Sequence, residues 1–180
     1  MRPMLRILSC VAVISFSFSI FAVDESIPVD KLPKAVLETV KKRFPKAEIV
    51  EAEKSTENNE EEYVVSIKDG KTEIDVTLTP DGKITLIEKE IPVKDLPKAV
   101  TDAVAAKFKK ATIKTADEVT TVTDGKEELD YYDVVVVTAD KKTLDVEVTP
   151  DGKIEQVEEH KEEKKAEKDK ETKKPEKKKK

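Results

Sequence analysis

The decapeptide IPVDKLPKAV, at residues 27–36, returns as IPVKDLPKAV at residues 91–100, an offset of 64. The same offset carries Phe44 onto Phe108. Between the leucine of this segment and that phenylalanine, apolar residues recur every four positions, which is typical of a helix with one buried stripe. Each copy therefore predicts one amphipathic helix, and Asp30 is placed to cap the first of them.

A second repeated segment shows where the two copies differ in length. TPDGKI at residues 79–84 returns at residues 149–154, but here the offset is 70. Two copies that align at both ends indicate a duplicated domain with an insertion in the second copy. We expect all six extra residues to lie between Ala116 and Tyr132.

After each helix the hydrophobic period changes from four to two, which indicates half-buried strands. Each of the four glycines follows an aspartate, a pair typical of hairpin turns. The predicted fold class is α+β, with two tandem repeats. Each repeat is one helix packed on a four-stranded antiparallel sheet (α-β-β-β-β), with the other sheet face left open. In the first copy we expect strands at about residues 47–54, 61–68, 72–79 and 83–88.

The first 22 residues have the layout of a secretory signal peptide. Arg2 and Arg6 give a positive start, and an apolar stretch with four serines leads to a predicted cleavage after Ala22. An uncleaved membrane anchor is the alternative, because the stretch is close to the roughly 17 residues that a spanning helix needs. Cleavage removes Cys10, the one cysteine, so no disulfide would stabilise the mature chain. We expect a periplasmic or secreted bacterial protein without stable membrane insertion after cleavage.

The net charge of −5 hides a segregation of charge. Residues 161–180 carry eleven lysines against six acidic residues, and the signal carries two arginines, which leaves −12 for residues 23–160. The last twenty residues have no apolar side chain larger than alanine, which predicts a disordered tail. The tail is either a solvated spacer or a polycation that contacts anionic envelope polymers. The acidic body disfavours binding to nucleic acid.

These observations divide the chain into four predicted parts. They are a signal peptide at residues 1–22, a first repeat at 23–90, a second repeat at 91–160 and the Lys/Glu-rich tail at 161–180.

The repeated motifs resemble the PepSY-like, β-lactamase-inhibitor-protein-like (BLIP-like) domains of bacterial envelope proteins. The matching motifs of the first copy are Leu32-Pro33, Phe44-Pro45 and the turn at residues 81–84. The second copy keeps the Leu-Pro and turn motifs but has Lys109 after its phenylalanine. The resemblance implies a secreted or periplasmic domain that binds or inhibits other proteins, and these structural motifs support the fold better than the function.

The inventory of side chains argues against an enzyme. His160 is the one histidine, and it stands where the tail begins, so we expect it to be solvated and not to act as a catalytic base. No Gly-rich phosphate loop is present, and the usual zinc and copper ligands are missing, so no metal or other cofactor is predicted. Acidic residues at 57–62 and 124–130 leave calcium as an alternative, without EF-hand spacing.

The open sheet face is the predicted functional surface. Two tyrosines and an aspartate lead into four valines at residues 134–137, which puts apolar residues on both faces of one strand. If Val135 and Val137 point inward, their neighbours face outward. The candidate protein-binding patch is then Tyr131, Tyr132, Val134, Val136, Asp145 and Glu147. Packing between the repeats, or β-propensity alone, is the alternative interpretation.

The sequence therefore predicts an exported, non-catalytic module that binds a protein partner, with inhibition of a hydrolase or peptidase as one form of that role. The alternative is an envelope domain that binds a small ligand or Ca²⁺ and whose tail contacts anionic polymers.

Overall fold

The computed structural model describes residues 25–57 and 60–160. The predicted signal peptide and tail lie outside the described residues. Within them, α1 is Lys34–Arg43 and α2 is Lys98–Lys107, and a short 3₁₀ turn precedes each helix. The strands are β1 Glu25–Ser26, β2 Glu48–Glu57, β3 Glu60–Asp69, β4 Thr72–Leu78, β5 Ile84–Glu90, β6 Thr112–Thr123, β7 Lys126–Val137, β8 Thr143–Val148 and β9 Ile154–Glu159.

The nine described strands form one antiparallel sheet, in which each strand pairs with the next along the chain. The predicted α+β class is confirmed. The strands do not form a separate four-stranded sheet in each repeat, because those of both repeats belong to the same sheet. β5 and β6 join the two halves, with pairing from Leu86 with Thr121 to Glu90 with Asp117. This pairing satisfies two strand edges that would otherwise be exposed. The predicted domain boundary after residue 90 falls at the end of β5, and the independence of the two halves stays a prediction.

Both helices lie on the same side of their halves of the sheet and cover two hydrophobic clusters. Val36 and Val40 of α1 are fully buried, as are Val100 and Val104 of α2. They contact alternate residues of the strands that follow, which is the period-two pattern of the sequence. Fully burying a valine side chain stabilises a fold by about 1.5 kcal/mol or more, so these stripes hold the helices on the sheet.

The start of α1 differs from the prediction. Asp30 lies in the 3₁₀ turn Val29–Lys31, and the residue at the N-cap of α1 is Pro33, without a side-chain hydrogen bond. The cause is the Leu-Pro motif. A residue before proline is pushed out of the helical region, so Leu32 is extended and the helix cannot begin as early as Asp30.

The hairpin turns at residues 79–83, 138–142 and 149–153 share one hydrogen-bond pattern, and only the first and the last of them contain glycine. In TPDGK the Thr79 hydroxyl donates to Asp81, and the Lys83 backbone N–H donates to the Thr79 hydroxyl oxygen at 3.2 Å. TADKK at residues 138–142 repeats both bonds. There Lys141 takes the left-handed conformation (φ 67°) that Gly82 takes in the first turn (φ 83°).

The six extra residues of the second copy are not all in one place. Tyr63 pairs with Leu78, and Tyr132 pairs with Val148 in the equivalent position, so the tyrosines are 69 residues apart while the later strands are 70 apart. Five extra residues therefore lengthen the β6–β7 hairpin, and the sixth lies in the β7–β8 turn. The expectation that all six precede Tyr132 is wrong by one residue.

The longer β6–β7 hairpin reaches the first half of the molecule. Arg43 at the end of α1 pairs with Glu127 at 3.0 Å, and Lys83 Nζ lies 3.4 Å from Asp124 Oδ1. Val122 packs against the hydrophobic cluster of the first repeat. Much of the insertion thus has a structural role in closing the first core.

Candidate functional site: the open face of the sheet

The sheet face opposite the helices carries a line of carboxylates that crosses four adjacent strands. Glu90 of β5 pairs with Asp117 of β6, Asp117 with Asp133 of β7, and Asp133 with Glu147 of β8. Each directly neighbours a residue of the helix-side core, such as Val134 beside Asp133, so its side chain points to the opposite face. We call Glu90, Asp117, Asp133 and Glu147 the acidic row.

Such a row is unfavourable for the fold itself. Directly opposed residues on one face have Cβ atoms about 4.5–5.5 Å apart, and like charges at that spacing destabilise a sheet by up to about 1 kcal/mol per pair. Three consecutive like-charge pairs of this kind therefore do not by themselves stabilise the sheet.

The first repeat provides an internal comparison on the same backbone. Its equivalent line runs from Glu53 to Val64, Thr77 and Leu86, through the same cross-strand pairings. The second copy has different residues at the corresponding positions, namely Asp117, Asp133, Glu147 and Gln156. The fold therefore does not require acids at the positions of Asp133 and Glu147, whereas the position of Asp117 is acidic in both copies and Glu90 belongs to the first repeat.

Burial makes the centre of the row hard to ionise. Desolvation, together with the nearby Asp145 carboxylate, raises the pKa of Asp133 above its ordinary value, against opposing contributions from the Val134 N–H and His160. One carboxylate oxygen of Asp133, Oδ1, is buried without a hydrogen-bond partner. Burial and the neighbouring Asp133 likewise raise the pKa of Glu147. A cation placed on the row would relieve this cost by favouring the charged forms.

A second line of cross-strand neighbours lies beside the row and is partly apolar. Glu88 pairs with Val119, and Val119 pairs with Tyr131. Val119 is only 1% exposed, although no described helix covers this face. Burial, reinforced by Glu147 and Glu88, raises the pKa of Tyr131 to about 12. Its hydroxyl therefore stays protonated at neutral pH and can donate a hydrogen bond beside the carboxylates.

A shallow depression of about 220 Å³ continues the acidic surface toward β4. Its lining residues are almost all carboxylates: Glu73, Asp75, Glu88, Glu90, Thr115 and Asp117. The acidic surface thus extends from β4 to β8.

His160 is held in place at the other end of this face. Its Nδ1 lies 2.6 Å from Asp145 Oδ1, and each of the two side chains is 32% exposed. Its backbone N–H also donates to the carbonyl of Thr143 at 3.1 Å. The expectation of a solvated histidine is therefore wrong, because His160 directly follows β9 and the pairing of β9 with β8 places it next to Asp145. Residues 91–160 contain no serine or cysteine that could complete a nucleophilic triad with this pair.

The predicted binding patch is split between the two faces. Tyr132, Val134 and Val136 are at most 6% exposed and lie in the second hydrophobic cluster, so their placement on the open face is wrong. The reason is the extra residue in the β7–β8 turn, since a slip of one residue moves every side chain of a strand to the other face. Tyr131, Asp145 and Glu147 do lie on the open face, opposite Val119, Val135 and Asp133 respectively.

The sequence did not predict that Glu90, Asp117 and Asp133 lie side by side on the open face, in line with Glu147. The signal that could have found them is the match of Tyr132-Asp133-Val134 to Tyr63-Val64-Val65, which sets aspartate on the open face. Their alignment across strands also depends on the β5–β6 pairing, which no local pattern predicts.

Neither acidic loop forms a recognisable metal centre. In the described part of the chain, no three His, Cys, Asp or Glu residues are grouped so that they could hold a metal ion. The loop at 57–62 is only partly described, whereas Asp124 at the tip of the β6–β7 hairpin pairs with Lys83. Within residues 25–57 and 60–160, no helix is long and apolar enough to span a membrane.

Comparison with protein families identifies the fold. The profile of the family described as "Putative beta-lactamase-inhibitor-like, PepSY-like" matches residues 21–88 and 61–156. The chain belongs to this family. The predicted resemblance is thereby confirmed, over nearly all of the described sheet. No curated protein sequence gives a significant match.

Solved structures from Bacteroides have a similar fold. A "putative periplasmic" protein of Bacteroides eggerthii is 20% identical, with a TM-score of 0.58 over 71% of this chain and 88% of that one. A DUF2874 family protein of Bacteroides uniformis is 18% identical, with a TM-score of 0.57 over the same shares of the two chains. A BLIP-like protein of Bacteroides fragilis is 17% identical, with a TM-score of 0.51 over 69% of this chain and 84% of that one. At these identities the likeness shows the fold alone.

Proposed function

We propose that this protein is an exported, non-catalytic binding module whose acidic row recognises a basic surface of a partner protein. The observation that carries the proposal is the run of three like-charge cross-strand pairs on the uncovered face. The first repeat, with Val64 and Thr77 at the positions of Asp133 and Glu147, shows that the backbone does not need acids there.

The chemistry of the face favours a cationic protein surface over a small apolar ligand. The depression there is shallow and lined almost wholly by carboxylates, whereas ligand pockets are mostly apolar and concave. Tyr131 adds a flat ring and a hydroxyl donor beside the carboxylates. Charge complementarity of this kind accelerates association and selects among partners. Occlusion of a basic active-site rim would make the module an inhibitor of a hydrolase or peptidase.

Location in the periplasm is part of the proposal. It is supported by the signal-like layout of residues 1–22 and by the description of the B. eggerthii neighbour as periplasmic. A non-catalytic role is supported by the lack of a serine or cysteine in residues 91–160 that could act as a nucleophile beside the Asp145–His160 pair.

The proposal is tested by capture of proteins from an envelope extract with three forms of the chain from Val23 to Lys180. One form is unchanged. The row variant carries Glu90→Gln, Asp117→Asn, Asp133→Asn and Glu147→Gln. The helix-side variant has the same change of charge in α1, α2 and the turns before them, through Asp30→Asn, Glu38→Gln, Asp95→Asn and Asp102→Asn.

We expect one stoichiometric protein on the unchanged chain and on the helix-side variant, at least tenfold less of it on the row variant, and its release by salt. Equal capture by the row variant, or no stoichiometric protein at all, would contradict the proposal. Turnover by the captured protein, measured with and without the module, then tests inhibition. Calorimetry with calcium tests the alternative function, which requires heat and a thermal shift that the row variant lacks.

A further inference from the structure

The described chain ends on the same sheet face as the acidic row. β9 ends at Glu159, and His160 is fixed to Asp145 and to the carbonyl of Thr143 on β8. Asp145 is on the open face, where it pairs across the strands with Val135. The described chain therefore ends at the open face, one strand over from Glu147 of the acidic row and four residues further along the sheet.

The charge of the segment that leaves there is opposite to that of the face. Residues 161–180 carry eleven lysines against six acids, while residues 23–160 carry a net charge of −12. The six acids are spread among the first sixteen residues of the segment, and Lys177–Lys180 is an uninterrupted run of four cations. Four lysines equal in number the four carboxylates of the acidic row.

The length of the segment is sufficient to reach every carboxylate of the row. Adjacent strands lie about 4.8 Å apart, so β5 is about 19 Å from β9 across the sheet. Twenty residues span up to roughly 66 Å when extended, and even the first twelve span about 40 Å. The terminal lysines can therefore lie over any strand from β5 to β8 without displacing His160.

We propose that residues 161–180 dock on the open face of the same molecule, with the terminal lysines over Glu90, Asp117, Asp133 and Glu147. The tail then neutralises the like-charge pairs in the free protein and occupies the surface that a basic partner would use. Competition between tail and partner rests on the proposed function. The intramolecular contact itself does not, and it is measured without any partner.

A spin label on the tail tests the contact. The chain from Val23 to Lys180 has no cysteine, so Thr172→Cys introduces a single labelling site and keeps all eleven lysines. We expect the label to broaden the amide signals of β5 to β8 beside the acidic row and to leave those of α1 and α2 sharp. In 1 M salt, where the Debye length is about 3 Å, broadening should contract to β8 and β9, where the tether holds the label.

The row variant and the helix-side variant provide the matched comparison. We expect the row variant to lose the broadening at β5 and β6 and the helix-side variant to keep it. An unchanged pattern in the row variant, or an equal loss in both variants, would refute docking on the row. A mixture of spin-labelled molecules without ¹⁵N and ¹⁵N-enriched molecules without the label detects contacts between copies. Broadening of the ¹⁵N signals in this mixture would assign the contact to a second copy.

A measurement on the unsubstituted chain keeps the test independent of any variant. A carbodiimide joins a lysine amine to a carboxylate only when the two are in contact. We expect crosslinks from Lys177–Lys180 to Asp133, Glu147 or Glu90, in monomer separated from any dimer. Crosslinks confined to the acids of the tail or to the helix side would overturn the proposal.

Discussion

Replacing Gly82 by alanine should cost far more than a strained turn alone can explain. A Cβ at this position would lie 2.7 Å from the carbonyl oxygen of Ala35 and 2.8 Å from its carbonyl carbon, with the Thr39 hydroxyl at 3.1 Å. Ala35 is in the first turn of α1, whose backbone is held by the buried Val36 and Val40. The contact is therefore with a helix that cannot rotate away.

The expected cost has two parts. A left-handed backbone (φ 83°) costs an alanine about 1 kcal/mol. Forcing the helix and the turn apart adds about 2 kcal/mol, the middle of the range for an overpacked contact. Gly82→Ala should thus lower the free energy of unfolding by about 3 kcal/mol, which is about 6–12 °C in Tm for a chain of this size.

Gly70 is the matched control, because it has a similar φ of 66° and nothing within 4 Å of a Cβ. Gly70→Ala should therefore lose only about 1 kcal/mol. Lys141 at φ 67° shows that a side chain is accepted in such a turn when no helix lies against it. In the second repeat, Gly152 lies against Ala99 and Gly125 has open space, so this pair repeats the comparison.

Urea unfolding followed by circular dichroism gives the two midpoints, and an unchanged m-value shows that the difference is one of stability. Equal losses for Gly82→Ala and Gly70→Ala would refute the reasoning. The requirement for glycine would then come from the turn alone, and the closing Asp-Gly-Lys motif would have no part in holding the helix.

Three further perturbations test other parts of the structure. Val134→Ala should lower the free energy of unfolding by about 2 kcal/mol, since it removes two fully buried methyl groups. Val135→Ala on the open face should lower it by about half as much or less. Urea unfolding that ranks the two variants the other way would refute the strand register. Asp133→Asn should stabilise the fold at pH 7 and lose that advantage as the pH falls toward about 4. The reason is that a raised folded-state pKa makes ionisation costly above it, and the cost is absent once both states are protonated; parallel pH profiles of variant and parent would disprove this. Arg43→Gln should cost less than about 1 kcal/mol, with no cost left in 1 M salt, because both it and Glu127 are half-exposed; a larger loss in thermal unfolding would mean that the hairpin depends on this pair.

The parts of the fold that follow from local chemistry could be predicted. The four-residue spacing of Val36 and Val40 gave α1, and the alternation of Ile74, Val76 and Leu78 gave β4, because each pattern matches one backbone geometry. The predicted helix start at Asp30 is wrong because Pro33 restricts Leu32 to an extended backbone, and this restriction outweighs the preference of aspartate for a capping position.

The candidate site could be predicted only as a region. In β7 the residues from Tyr131 to Val137 are apolar on both faces, apart from Asp133, so hydrophobic alternation does not fix their orientation. The orientation is set by the pairing of Tyr132 with Val148 and by the longer β7–β8 turn, both of which are non-local. The position of His160 likewise depends on β9 pairing with β8.

The duplication explains why the acidic row is informative. Both repeats keep the apolar positions that face the helices, as Val65 and Val134 show, because the core accepts little change in volume. On the open face that restriction is absent, and the same backbone position is Val64 in one copy and Asp133 in the other. The aspartate has an elevated pKa and an unpaired buried oxygen, so it is a cost to the fold. A cost that the first copy avoids at this position and the second copy carries is best explained by a positively charged group that meets the row, either from a partner or from the protein's own tail.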